Sequence, residues 1–297
     1  MEKKKILFII NPVSGTRKKT NIEPYIKDYL DLEIYDPHFE FTKSAGDGFN
    51  IALSALQKKF DTVVAVGGDG TINEVARGIT GSPVCMGIIP LGSGNGLARH
   101  LNIPLRIGDA VRVINECFVL PIDTVQINHT SFFSIAGVGF DALIAKKFAL
   151  QKRRGFFSYM KITLNEYLRY RQKKYHLVLD GEMIRTKAFF IALANSDQFG
   201  YRTSIAPKAK VTDGLIDVVI VRKIPFLVSL FHIPLLFNRK IHLSKYVKMY
   251  QAKEVEIYRK KNRVINIDGE PVKLDKNLKI NIVPASLNIL VQKNLYL

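Results

Sequence analysis

Residues 61–74, DTVVAVGGDGTINE, limit what this chain can fold into more than any other stretch. Residues 62–66 (TVVAV) form a short, mostly β-branched apolar run, the composition of a buried strand. The run breaks at Gly67-Gly68-Asp69-Gly70-Thr71, after which Ile72, Val75, Ala76 and Ile79 recur at helical spacing. A strand that turns through glycines into a helix aims backbone N–H groups at the space beyond the turn, where an anion can sit. Glycine admits positive φ and lacks the Cβ that would hold a phosphate at a distance. Asp69 is out of place in a bare anion cradle; a carboxylate beside phosphates implies a bound Mg2+ or a proton acceptor. The plain alternative is a glycine turn that only starts a helix. Three glycines enclosing an acid favour a nucleotide phosphate site over it.

Two further strand exits have the same character. Residues 5–10 (KILFII) end in Asn11-Pro12-Val13-Ser14-Gly15, and residues 84–90 (VCMGIIP) end in Leu91-Gly92-Ser93-Gly94-Asn95-Gly96. None of the three is a GxGxxG fingerprint or a P-loop with its lysine. Several such loops at the carboxyl ends of parallel strands can still converge on one crevice. Between them, residues 21–30 predict a helix capped by Asn21, residues 32–42 an extended segment interrupted at Pro37, and residues 44–60 and 107–117 two more helices. Strand and helix alternate, so the first part reads as an α/β layer on a mostly parallel sheet.

From about Phe118 the rhythm changes. Short strands are expected at 118–125, 131–137, 175–180, 188–195, 214–221, 254–258 and 264–268, with Asp-Gly turns at 180, 213 and 268. Helices around 141–150 and 158–170 interrupt them. The chain therefore divides into an α/β nucleotide-binding domain, 1–124, and a β-sandwich domain, 125–285. The last strand, 287–291, lies within a tail, 286–297, that is free to return to either domain.

Charge follows the same division. Residues 1–125 hold 14 Lys/Arg and 14 Asp/Glu, so the whole net charge of +18 comes from the 30 basic and 12 acidic residues that follow. Either the second domain meets an anionic partner, nucleic acid or a membrane surface, or it carries a solvated basic face with no partner. Lys152-Arg153-Arg154 and the stretches 169–174 and 259–263 spread the basic surface, and the aromatics form no base-stacking array. A membrane fits better than nucleic acid. Residues 222–245, RKIPFLVSLFHIPLLFNRKIHLSK, have basic ends, an apolar middle and no acid. They read either as an interfacial element or as a buried helix with snorkelling ends. The apolar run after the basic start stops at Asn11-Pro12, too short for a signal peptide, and no segment is long enough to span a bilayer. Cys85 and Cys117 fit no metal spacing, as in a reduced, cytoplasmic protein. Against the basic background stand two acidic turns, Asp213-Gly214-Leu215-Ile216-Asp217 and Asp268-Gly269-Glu270. Each is either a hairpin turn or a site that holds Mg2+ or deprotonates a hydroxyl.

Taken together, these motifs resemble the diacylglycerol kinase catalytic family, which includes bacterial lipid kinases and sphingosine kinases, over nearly the whole chain. Asn11, Pro12, Val13, Ser14 and Gly15 resemble its NPxSG nucleotide loop, and Thr42 the threonine after its second strand. Gly67, Gly68, Asp69, Gly70, Thr71, Ile72 and Asn73, followed by Glu74, match its GGDGT signature; Gly92, Ser93, Gly94 and Asn95 resemble its PLGTxND loop. Ser93 replaces the commoner threonine and Gly96 the aspartate, a version closer to sphingosine kinases. Gly137-Val138-Gly139-Phe140-Asp141 resembles the stretch that opens the lipid-binding part. The resemblance implies an N-terminal α/β domain and a C-terminal β-sandwich with ATP in the cleft between them. It implies a structural Mg2+ at Lys210, Asp213 and Leu215, through the aspartate and main-chain carbonyls. Catalysis would fall to Asp69 beside Mg2+ and to Asp268 or Glu270 at the acceptor hydroxyl.

The activity so implied is an ATP- and Mg2+-dependent lipid kinase, cytoplasmic and peripherally membrane-associated, acting on a diacylglycerol or a sphingoid base. Oligomeric state is left open, a homodimer included. NAD kinases share the GGDGT turn and the two-domain plan but lack the NPxSG and PLGSGN loops, and rank second. A catalytically silent nucleotide- or lipid-binding sensor is the non-enzymatic rival; it would have no need of Asp69, Asp268 and Glu270 together.

Overall fold

The computed structural model describes residues 3–15, 22–151, 156–200, 203–261 and 263–295. Asn21 and the Lys152-Arg153-Arg154 cluster lie outside the described residues. The chain forms two compact units, one of residues 1–122 with 285–297 and one of residues 123–284.

In the first unit β1 (Lys4–Ile10), α1 (Ile22–Lys27), β2 (Tyr35–Phe41), α2 (Asp47–Gln57), β3 (Thr62–Gly67), α3 (Asp69–Ile79), β4 (Cys85–Pro90), α4 (Gly96–His100) and α5 (Ile107–Asn115) follow in order. The strands pair in parallel in the order β2-β1-β3-β4. Every residue of β3, and Ile6 to Ile10 of β1, is buried, which is why these strands are unbroken apolar runs and not alternating ones. Register then fixes the site. Ile10 pairs with Val66 and Gly67 with Pro90, so β1, β3 and β4 end side by side and release their loops together.

Two expectations need correcting. Pro37 does not interrupt the second strand: β2 runs through it, because β2 is an edge strand and can lose a ladder donor on its open side. The helix after the glycine turn starts at Asp69, not Ile72; Gly68 is the extended N-cap, so Asp69, Gly70 and Thr71 form the first helical turn.

The second unit is built on β5 (Val119–Ile127), β6 (Thr130–Phe132), β7 (Ile135–Gly139), α6 (Phe140–Ala149), α7 (Phe156–Arg169), β8 (Lys173–Leu179), β9 (Glu182–Ala188), β10 (Phe190–Ala194), β11 (Gln198–Gly200), β12 (Thr203–Ser204), β13 (Ile216–Val221), α8 (Phe226–Phe237), β14 (Val247–Ala252), β15 (Glu254–Tyr258), β16 (Arg263–Ile267), β17 (Glu270–Leu274) and β18 (Asn277–Leu290). One antiparallel sheet runs β14-β13-β10-β7-β16-β17; the other runs from the start of β18 through β15 and β8 to β9. Leu177, Val255, Ile257 and Ile280 of one sheet share a core with Val138, Ile191, Val218 and Ile265 of the other, which makes the unit a sandwich. The end of β18 returns to the first unit, where Asn288 and Ile289 pair in parallel with Cys85 and Met86 of β4.

Helix α8 is not the buried helix that one reading of residues 222–245 expects. It has no buried residue: Leu227 and Phe231 are 73% and 79% exposed, while Leu235 and Leu236 rest against a small cluster that includes Ile205 and Ile241. No described helix is long and apolar enough to cross a membrane.

Candidate active site

The loops that leave β1, β3 and β4 are fastened to one another by their backbones. Asn11 N–H donates to Val66 O at 3.0 Å and Leu91 N–H to Gly67 O at 2.7 Å. A Cβ on Gly92 would stand 2.6 Å from Gly68 Cα, a separation that packing forbids, so the turns after β3 and β4 touch through bare backbone. Gly15, at φ +78°, would likewise meet Leu91 O at 2.6 Å. Asn11 Nδ2 donates to Thr71 Oγ1 at 3.1 Å, and its Oδ1 accepts Val13 N–H at 3.0 Å. Thr42 is buried at the end of β2, where its N–H bonds Ile10 O at 2.9 Å. Pro12, Val13, Gly15 and Ser93 are exposed around this assembly, and Ser14, Gly70 and Asn73 are half-buried in it.

Asp69 does the fastening. Its two carboxylate oxygens accept Asn95 N–H at 2.8 Å and Gly96 N–H at 2.7 Å, and so cap the first turn of α4. Arg99 Nε bonds Gly94 O at 2.9 Å from below. Burial pushes the Asp69 carboxyl above its ordinary value, against the pull of those N–H groups and of Arg99. Asn95, at φ +55°, anchors its own Nδ2 on Gly92 O at 2.8 Å.

Two residues of the signature are engaged away from the loops after β1 and β4. Glu74 accepts Gly46 N–H at 2.7 Å and Gly48 N–H at 3.0 Å, so its carboxylate holds the start of α2 and would repel a phosphate. Ile72 is 2% exposed, its side chain in the core and its N–H bonded to Gly68 O.

These loops suit a nucleotide and its cation. Gly70 and Thr71 are in the first turn of α3, where an N–H has no intrahelical acceptor, and the helix dipole favours negative charge there. Asn95 Oδ1 is buried with no hydrogen-bond partner, an acceptor left for a cation or a ligand hydroxyl.

In the second unit, Asp268 and Gly269 form a two-residue hairpin between β16 and β17, both at positive φ (45° and 91°), the demand of a type I′ turn. The turn is more than a hairpin. Asp268 accepts Phe133 N–H at 2.9 Å, Ser134 N–H at 2.9 Å and Ile135 N–H at 3.0 Å, which ties it to the start of β7. Glu270 follows it, exposed. Beneath the turn, Asn266 Oδ1 accepts Gly269 N–H at 2.9 Å while its Nδ2 donates to the buried Asp141 at 2.9 Å. Burial pushes the Asp141 carboxyl up to about 6, with the Asn266 bond opposing.

The other acidic turn lies in the same unit. Asp213 Oδ1 accepts Leu215 N–H at 3.1 Å, and the buried Asp123 accepts Gly214 N–H at 2.7 Å. Burial, and Asp123 nearby, raise the Asp213 carboxyl; burial, and then Asp213, push Asp217 up to about 6. Asp217 Oδ2 is buried without a partner. Acids that oppose one another's ionisation fit a bound cation. Among the described residues no cluster of three or more His, Cys, Asp or Glu side chains forms a metal site. A set of one carboxylate and the carbonyls of Lys210 and Leu215 would not require one.

The sequence reading did not assign supporting roles to Arg99, Asp123, Asp141 or Asn266. Asp141, on α6, and Asn266, on β16, are remote in sequence, and the pairing of β7 with β16 and the packing of α6 on β16 bring them together. Asp123 carried one faint signal, an acid set in the apolar strand IDTVQI.

Residues 5–127 match the family model described as the diacylglycerol kinase catalytic domain, and residues 134–291 the YegS C-terminal NAD kinase beta sandwich-like domain. A diacylglycerol kinase of Staphylococcus aureus (strain bovine RF122 / ET3-1) is 30% identical over 275 residues, covering 90% of this chain and 86% of that protein. One from Staphylococcus saprophyticus is 28% identical over 274 residues, 90% of this chain and 89% of that protein. A crystal structure of a diacylglycerol kinase from Bacillus anthracis superposes with a TM-score of 0.74 at 19% identity, covering 99% of both chains, a likeness of fold. With an α/β unit and a sandwich that each match a family model, and relatives at this identity along nearly its whole length, the chain belongs to the diacylglycerol kinase family of lipid kinases, phosphotransferases with an alcohol group as acceptor.

Proposed function

We propose that this protein transfers the γ-phosphoryl group of ATP, with Mg2+, to the hydroxyl of a diacylglycerol at a membrane surface, with a sphingoid base as the alternative acceptor. The observation that carries the reading is the bare-backbone contact of Gly68 with Gly92 beside the first turn of α3. Loops built this way admit a polyphosphate where any side chain would hold it off. Asn11 to Gly15, Thr42, Gly67 to Thr71, Asn73 and Gly92 to Asn95 would hold the nucleotide, with Asp69 keeping the second and third loops in register. Asp213, Lys210 and Leu215 would hold a structural Mg2+. Bound Mg2+ supplies charge neutralisation on the phosphoryl oxygens, and the transfer itself needs chiefly positioning.

The acceptor hydroxyl needs a group to take its proton. Glu270 is exposed at the surface where a substrate can reach it, whereas the Asp268 carboxylate is taken up by three backbone N–H groups. Glu270 is therefore the proton acceptor and Asp268 the residue that positions the turn. Membrane contact falls to α8, whose exposed apolar side chains are flanked in sequence by the exposed Arg222, Lys240 and Lys245. Each Lys or Arg near an anionic surface adds about 1 kcal/mol of attraction. The relatives' name favours diacylglycerol over a sphingoid base.

The test is transfer of labelled γ-phosphate to a panel of diacylglycerol, monoacylglycerol, sphingosine, dihydrosphingosine and NAD in mixed micelles. Label on diacylglycerol that disappears in Glu270→Gln is the expected result. Label on NAD alone, or ATP binding without transfer to any acceptor, would overturn it.

A further inference from the structure

The second unit contains a cavity of about 660 Å3. Part of its lining is apolar, from Val138 and Gly139 at the end of β7, Ala142 and Leu143 on α6, and Tyr175 and Val264. The rest is cationic. Lys146 of α6, Lys173 and Lys174 of β8, and Arg259 and Lys260 after β15 line it, with Arg263 and Lys273 across the β16–β17 hairpin. No acidic side chain is among the lining residues. The basic stretches at 169–174 and 259–263 are far apart in sequence, and the fold gathers them around one space.

The arrangement is built rather than a solvated charge run. Arg259 is buried, and its guanidinium donates to the carbonyls of Leu274, Asp275, Lys276 and Arg263, which fixes its charge in the wall. Lys173 is half-buried, with its ammonium 4.7 Å from the centre of the Tyr170 ring. Burial and the proximity of Arg263 push both Lys173 and Arg259 below their ordinary values. Like charges crowded around a partly apolar cavity repel one another, and a multiply charged anion relieves the repulsion. The cavity is set back from the acidic turn: of the hairpin residues that line it, Val264 and Lys273 stand nearest, four residues or about 13 Å along the strands from Asp268 and Gly269. No residue of the glycine loops lines it.

We infer that this cavity is a binding site for a phosphate-bearing anion, the chemistry shared by the headgroup of an anionic phospholipid and by a free phosphate compound. The site stands on the cavity and its cations, independent of the kinase reading. It gives the excess charge of the second domain a defined place to act.

Binding to the full-length protein tests it, with the nucleotide loops first saturated by a non-hydrolysable ATP analogue and Mg2+. Tripolyphosphate is one probe; vesicles of phosphatidylcholine with and without phosphatidic acid are the other. The paired variant Lys173→Gln with Lys273→Gln is compared with Lys173→Arg with Lys273→Arg. Affinity for the phosphate probe falls about tenfold in the glutamine pair, as expected for two partly screened charges, and is kept in the arginine pair. Affinity for the ATP analogue is unchanged in both, which separates a failure here from a failure of the nucleotide site. Binding of phosphatidic acid vesicles that weakens in the glutamine pair, without tripolyphosphate binding, assigns the site to a lipid headgroup, and tripolyphosphate binding that weakens in that pair, with vesicle binding unchanged, assigns it to a free phosphate. Equal phosphate binding by wild type and the glutamine pair, or no saturable binding of either probe, overturns the inference.

Discussion

Replacing Asp141 with Asn should remove a pH-dependent destabilisation that the wild-type protein carries. The side chain is 4% exposed, and burial pushes its carboxyl from 3.8 up to about 6. A carboxyl whose folded value lies above its unfolded one favours folding only while protonated. Its contribution is therefore complete below about pH 4 and is lost as pH rises through about 6. A shift of roughly two units corresponds to about 3 kcal/mol across that window. The variant carries a constant offset of its own: its Oδ1 can still accept from Asn266 Nδ2, but it places a new NH2 in the core, and an unsatisfied buried amide costs about 1–3 kcal/mol. The offset does not depend on pH, so the informative quantity is the change in the stability difference. Urea unfolding from about pH 4 to about pH 7 should show the variant gaining about 3 kcal/mol relative to wild type, with unchanged m-values. Parallel stability curves across the window would refute the reasoning, and with it the buried acid beneath the Asp268-Gly269-Glu270 turn.

Three other variants probe the glycine loops and α8. Asp69→Ala removes the acceptor of two charge-assisted bonds to the loop after β4, each worth about 1.5–3 kcal/mol; ATP-analogue affinity and the urea midpoint should fall together, and a loss of turnover with both unchanged would assign Asp69 to chemistry alone. Gly92→Ala drives a Cβ to 2.6 Å from Gly68 Cα, so the two turns must part; overpacking of this kind costs about 1–3 kcal/mol, and ATP-analogue titration should show weaker binding before acceptor affinity changes. In α8, Leu227→Asp with Phe231→Asp alters two exposed side chains, so the urea midpoint should stay in place while sedimentation with anionic vesicles drops; unchanged sedimentation would remove α8 from the membrane contact.

How much of this was legible in the sequence follows from what each element packs against. Strands β1 and β3 are covered on both faces, so their composition is uniformly apolar and their positions could be read directly. The glycines were legible for a related reason: a backbone that must touch another backbone tolerates no side chain, and Gly68 and Gly92 carry that demand in their identity. Strands β9, β14 and β17 were not found, and all three are sheet edges whose polar residues face solvent, so EMIRTKA, VKMYQA and EPVKL carry little strand signal. The pattern of residues 222–245 left a buried and a surface helix equally open, since apolar content alone does not say whether a neighbour exists to cover it; only the fold leaves α8 bare.

The sequence by itself determined the α/β-then-β division, the glycine loops and the concentration of charge in the second part, because these depend on local composition and order. Tertiary structure alone decided which groups meet. It returned the end of β18 to β4, set Asp69 on the N–H groups of Asn95 and Gly96, put Asp141 and Asn266 beneath the acidic turn, and drew distant lysines and arginines around one cavity. Each of these contacts joins residues far apart along the chain, and their energy comes from burial and pairing that exist only once the sheets have formed.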